Sequence, residues 1–438
     1  MILLAACKPS IDEFVPERGD ADFQTYLAVG DSWTAGMADA SLYLSGQENS
    51  FPNILAKQFK EAGGGDFTQP LMLDDYGIGL ATGIPTVKLE MGFHPDCTGK
   101  VNLVPAYADV EVNMANLNPV AGAPFNNLST PGLKTFYMGV PGMNQLNPYY
   151  KRFASAGATT MNDEIALVNP TFFTLWLGSY DALDYAITGG ADPVNHALTP
   201  VTTFTGTLQQ TLIKLTENGA KGVVGNIPDV LDAPFFHTIP YNVLVLDQAT
   251  ADMLNYNYDN TVNPIIKSMN RTDTIHFVAG PNPVLIQDPS LPWQFRHIKS
   301  TELVLMSTPQ DSLKCGQWGS VDPIPGQYIL DEAEIGNITT AISDYNGQIS
   351  QLITSTSGTA LVDMYSVMKT ITNEGMVYDG VKVGAGFVTG NFYSTDGMNP
   401  TPLGSAVVAH HFIEAINVAF QANVPQVIVS DYPAVKLP

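Results

Sequence analysis

Basic residues are scarce in this chain: 19 lysines and arginines stand against 42 aspartates and glutamates in 438 residues, a formal net charge of -23. A surface so acidic repels phosphate backbones and anionic headgroups, which argues against nucleic acid as a partner. Cysteine is scarcer, with three residues, and none of them falls in a Cys-x-x-Cys pair. There is no His-Glu-x-x-His run, no Cys/His ligand spacing and no EF-hand loop, so the sequence implies no zinc, redox or calcium motif and no cofactor. Beyond the first residues, no apolar run approaches the roughly 18 residues that span a bilayer.

The remaining composition is that of a globular protein. Hydrophobic residues make up 45% of the chain and charged residues 14%, enough apolar surface for a large core and too little charge for disorder. Excess acid then serves chiefly to keep the molecule soluble. Leu4-Ala5-Ala6-Cys7 matches the lipobox of bacterial lipoproteins. Residues 1–7 therefore read as a leader remnant with Cys7 as the lipidation site, although six residues fall short of a full signal of about 15 to 30. Residues 8–22, with Pro9, Pro16, Gly19 and mixed charges, lack any period and predict a flexible tether. The expected location is the cell envelope, anchored by lipid alone, with the outer membrane as the expected host. Cys97 and Cys315 remain as either a disulfide pair, which an oxidising envelope permits, or two buried thiols.

From residue 23 to 438 the chain alternates strand-like apolar runs with helical periods, the pattern of an α/β fold with helices covering a parallel sheet. Tyr26–Val29, Thr171–Leu177, Gly222–Val224 and Ala360–Val362 supply the strands. Amphipathic periods predict helices over Thr207–Thr216, Asp331–Ile353, with bends at Gly336 or Gly347, and Gly404–Phe420. Two stretches rich in Pro, Gly and Asn, 71–124 and 234–327, break the alternation and read as insertions that wall a pocket.

Gly30-Asp31-Ser32-Trp33-Thr34-Ala35-Gly36 follows the first strand, where a turn exposes a hydroxyl and the next helix offers backbone N–H groups to an oxyanion. Residue 34 is Thr, so this is not the G-x-S-x-G elbow. The run resembles block I of the SGNH (GDSL-type) serine hydrolases, with Trp33 in place of leucine, and its extension to Tyr43 resembles lipoprotein members of the Bacteroidetes type. Asn49–Ala56 adds to the likeness. Asn126-Asn127-Leu128-Ser129-Thr130-Pro131-Gly132 looks like block II, Leu175–Asp181 like block III and Asp396–Gly404 like block V. The resemblance implies a three-layer α/β/α sandwich, flavodoxin-like in topology. It also implies Ser32 as nucleophile, the N–H groups of Ser32 and Gly132 as oxyanion donors, and an acyl or acetyl ester, on a small molecule, glycan or lipid, as substrate.

Two positions depart from the family pattern. The block III asparagine, an oxyanion donor, is Tyr180 here, which can donate from its hydroxyl, block the pocket or simply pack. The block V histidine, the general base oriented by Asp396, is Asn399, which cannot take a proton near neutral pH. An impaired hydrolase is expected, with an envelope ligand-binding protein without turnover as the alternative. None of the seven histidines occupies the family position. His237 and His297 lie in the second insertion, within possible reach of the pocket, whereas His410 and His411 fall on the last helix, away from Asn399.

Overall fold

The computed structural model describes residues 14–80 and 83–438, so Cys7 and residues 8–13 lie outside the described part. Residues 14–22 are not the free tether that their mixed composition predicts. Glu17 and Asn423 exchange backbone hydrogen bonds at 3.2 and 2.7 Å, the Asp20 N–H donates to the Phe420 carbonyl at 2.7 Å, and Ala21 is buried. Main-chain pairing holds this strap to the C-terminal segment, and such pairing leaves no side-chain period to read.

Five strands form one parallel sheet: β1 (Tyr26–Gly30), β2 (Asn127–Ser129), β3 (Phe172–Trp176), β4 (Lys221–Gly225) and β5 (Thr359–Val362). Their order is β2-β1-β3-β4-β5. Four correspond to the apolar runs above. The fifth, β2, is only three residues long and polar at both ends, too short for periodicity to reveal. Every residue of β1 and β3 is buried, which explains why these strands read as continuous apolar runs rather than alternating ones.

The helices that position the site are α1 (Ser32–Ala35), α2 (Phe51–Glu61), α3 (Ser179–Ala186), α4 (Val201–Thr216), α5 (Glu332–Ser355) and α6 (Pro402–Phe420). From β1 the chain moves one way to β2, and from β3 it moves the other way to β4 and β5. Right-handed crossovers in opposite directions place their helices on opposite faces. The packing agrees: Phe172 meets Phe59 of α2 and Phe420 of α6, and Trp176 meets Phe51 and Phe412, while α4 packs on α5. Pleat alternation turns Phe173 and Leu175 the other way, where they too are fully buried.

Helix α5 starts at a capping box, with the Asp331 side chain accepting from the Glu334 N–H and Glu334 reaching back to the Asp331 N–H, and it runs unbroken through Gly336 and Gly347. Contrary to the sequence expectation of no such stretch, helix α6 is by length and composition apolar enough to cross a membrane, with a mean hydropathy of 1.3 over its best window. In this fold it is a core helix, packed on α2 with Phe412, Ile413 and Ile416 buried.

Both insertions are built rather than loose. In the first, Leu89–Pro95 pairs antiparallel with Val101–Tyr107. The second closes its own small cores around Val284, Ile286 and Ile324 and around Leu254, Ile266 and Phe277. A disulfide between Cys97 at the hairpin tip and Cys315 joins the two, deciding between the alternatives the sequence leaves open.

Candidate active site at the carboxyl ends of the strands

In an open parallel sheet the helices depart in opposite directions from the strands flanking the switch point, leaving a crevice beyond the strand ends. The switch here lies between β1 and β3, and the segments after β1, β2 and β3 converge there. Gly30 pairs with Ser129 on one side and with Trp176 on the other. A β-carbon on Gly30 would fall 2.0 Å from Thr34 Oγ1 and 2.5 Å from the Trp176 carbonyl oxygen, so only glycine lets the chain turn straight from β1 into α1.

Asp31 caps α1, its carboxylate accepting from the Trp33 N–H. Ser32 is the first residue of this helix, a position whose N–H has no intrahelical acceptor. The Gly132 N–H donates to Ser32 Oγ at 3.1 Å. Gly132 has φ of +73°, a left-handed conformation that glycine adopts without strain. Block I and block II thus meet through the two groups that the resemblance names as nucleophile and oxyanion donor.

The ring of Tyr180, at the start of α3, lies over Gly132. Its hydroxyl would be 3.7 Å from a β-carbon on that glycine, and no protein group among the described residues bonds it. Burial, aided by the charges of Asp184 and Asp31, raises the phenol pKa and keeps it a neutral O–H donor. The ring thus packs on Gly132, whose N–H bonds Ser32 Oγ.

Asp396 and Asn399 form one tight turn. Asp396 Oδ1 accepts the N–H groups of Met398 and Asn399, each at 2.8 Å, and Oδ2 accepts the Ala40 N–H and Asn399 Nδ2, also at 2.8 Å. Ala40 is held at φ of +60°, a conformation unfavourable for alanine, in a segment where the Asp39 N–H is fixed by Ser394 Oγ. Trp33 donates its indole N–H to the Met398 carbonyl at 3.1 Å and ties this turn to the serine segment. With one Nδ2 hydrogen given to Asp396, the Asn399 side chain retains its carbonyl oxygen and a second N–H. It can accept a hydrogen bond, but it is not a base. Thr401 then caps α6 through the Gly404 N–H.

Ser32, Gly132, Tyr180 and Asn399 all line one cavity of about 320 Å³. Its walls are largely apolar, with Met37, Leu80, Leu146, Leu183 and Ile187 among them. The first insertion contributes Leu80, but no described residue of the second lines this cavity, contrary to the expectation for 234–327. His237 and His297 are occupied elsewhere, the first on the Leu231 carbonyl at 2.7 Å and the second between the Pro283 carbonyl and the His276 N–H. His411 bonds the Tyr378 hydroxyl and Glu414. The imidazole that does line the cavity is His196, from the loop between α3 and α4. No motif marks it in the sequence; the only available signal was its place soon after block III.

Two buried carboxyl groups lie behind the serine. Burial pushes Asp31 up to about 7, opposed by the Trp33 N–H and reinforced by the charge of Asp181. Asp31 Oδ2 has no hydrogen-bond partner. Burial also lifts Asp181 to about 6, against the bonds it accepts from the Thr135 N–H and hydroxyl at 2.8 Å. Because the folded state holds the Asp31 proton more tightly than the unfolded chain, stability falls as pH rises from about 4 to about 7 and stays reduced above that. Asp31→Asn preserves the cap and removes the buried charge. We expect it to unfold with wild-type stability near pH 4 and to gain on the order of 2–4 kcal/mol at pH 8, measured by urea denaturation. An unchanged difference at the two pH values would contradict this.

In comparison with known proteins, no family model matches the chain and no curated protein matches it.

Proposed function

We propose that this cavity binds an acyl ester in the manner of the SGNH hydrolases, on a three-layer α/β/α sandwich of flavodoxin-like topology, and that hydrolysis is impaired at the general base. The observation that carries the reading is Asn399, bonded through Nδ2 to Asp396 and facing the same cavity as Ser32. The N–H groups of Ser32 and Gly132 and the Tyr180 hydroxyl supply donors for a carbonyl oxygen that gains charge on attack by Ser32 Oγ. The group that would take the serine proton is absent from its expected place. A ligand-binding role without turnover is the second reading, favoured by the same Asn399 geometry. Under either reading we place the protein at the cell envelope, at the outer membrane in the sense of the lipobox at Cys7, and read no cofactor and no nucleic acid into its work.

The test is hydrolysis of a short-chain aryl ester together with labelling by a serine-reactive fluorophosphonate. Wild type is expected to turn over slowly and to label at Ser32, and Ser32→Ala to lose both. Tyr180→Phe is expected to lower the residual rate by on the order of a hundredfold, as for loss of one oxyanion donor. Labelling without turnover would favour the binding reading. Equal hydrolysis by wild type and Ser32→Ala, or absence of labelling and of ligand binding, would defeat the proposal.

A further inference from the structure

We infer that His196 is the second polar anchor of this cavity and selects esters whose alcohol part carries a further free hydroxyl. The inference rests on the ester-binding reading above. Most polar side chains around the cavity are spent within the protein. Asn147 caps a short helix by accepting from the Tyr149 and Tyr150 N–H groups, Tyr149 donates its hydroxyl to the Ile78 carbonyl, and Thr188 donates to carbonyls of α3. What remains directed to a ligand is the Ser32, Tyr180 and Asn399 group at one position and His196 at another.

His196 is built in place. Its Nδ1 meets Asp184 Oδ1 at 2.9 Å, and Asp184 Oδ2 meets Lys134 Nζ at 2.7 Å. Lys134 and Asp184 are about nine-tenths buried, and Lys134 also donates to the Ala197 carbonyl at 2.9 Å, next to the histidine. Asp184 lies four residues after Tyr180 on α3, so one helix face carries both the oxyanion-side phenol and the support for the imidazole. A carboxylate on Nδ1 fixes the neutral imidazole as the Nδ1–H tautomer and leaves Nε2 as an acceptor. Among the described residues no protein group bonds Nε2, and the side chain is 40% exposed. Asn399 Oδ1 is likewise an acceptor. A ligand that satisfies them must bring donors, and a hydroxyl on the alcohol part does so while the ester carbonyl faces the donor set at Ser32.

The experiment compares glycerol monobutyrate with propyl butyrate, an ester of the same chain lengths without the two hydroxyls, by ligand-observed NMR titration. Wild type, His196→Gln and His196→Phe are compared. Wild type is expected to bind the glycerol ester about tenfold more tightly than the propyl ester, the worth of one well-placed hydrogen bond. His196→Phe is expected to erase the tenfold preference, so that it binds the two esters equally. His196→Gln, which keeps a polar tip, is expected to fall between. Equal affinities for the two esters in wild type, or a loss in His196→Phe shared by both, overturns the role of His196 while the ester-binding reading stands. If neither ester binds wild type and Ser32 does not label, both fail together. The partly exposed loop position of His196 makes both variants compatible with folding, which circular dichroism verifies.

Discussion

Asn399→His is expected to raise ester turnover by roughly a hundred to ten thousandfold over wild type, the range supplied by a positioned general base. The site is prepared for it. Asp396 already holds the residue 399 side chain through Oδ2, and a histidine there would give its Nδ1–H to the same oxygen. Its Nε2 would then face the cavity shared with Ser32, which has about 320 Å³ of free space for the larger ring. The Asp396 pKa is raised by burial, but four hydrogen bonds to its two oxygens oppose that rise and favour the carboxylate that an imidazolium requires. The gained activity should grow with pH through the ordinary imidazole range near 6.5, where the base loses its proton. It should vanish in Asn399→His combined with Ser32→Ala. A folded Asn399→His protein that hydrolyses no faster than wild type at pH 8 would show that the missing base is not what limits the site.

Cys97→Ser combined with Cys315→Ser is expected to lower the unfolding free energy by about 3–5 kcal/mol, the largest effect on stability anticipated from any substitution considered. The bond spans 218 residues of chain, a loop containing β2, β3 and β4. Severing it restores to the unfolded chain the freedom of that whole loop. Around it, the Cys97 N–H donates to Asp311 Oδ1 at 3.3 Å, and Lys314 pairs with Asp96 at 3.2 Å. These exposed contacts are worth less than the covalent link. Denaturation with and without a reducing agent measures the effect in wild type, and the double variant should be insensitive to the reductant. A loss below about 1 kcal/mol would mean that the two insertions unfold without engaging the sheet.

The strands of the sheet interior were legible because burial on both faces leaves unbroken apolar runs, as in Phe172–Trp176. Helix α6 was legible from its apolar period over Gly404–Phe420, and the Thr401 cap starts it two residues earlier, at Pro402. The turn at Ser32 was legible because Gly30, Asp31 and Ser32 each meet a local demand: close approach, cap and helix start. The chemistry of the group at residue 399 is likewise readable, since an amide cannot take a proton near neutral pH wherever the chain carries it.

Tertiary structure alone decided the rest. The strap at 14–22 and the pairing of Cys97 with Cys315 depend on partners hundreds of residues away, which no local window contains. Tyr180 had three possible roles in sequence, and its placement over Gly132 comes only from the fold. His196 illustrates the same limit most clearly. Its significance comes from Asp184, Lys134 and the shared cavity, a constellation assembled by the packing of α3 and its following loop against the segment after β2. Sequence determined which chemical groups this protein has near Ser32, and the fold determined which of them are free to meet a ligand, because hydrogen bonds within the protein consume the others.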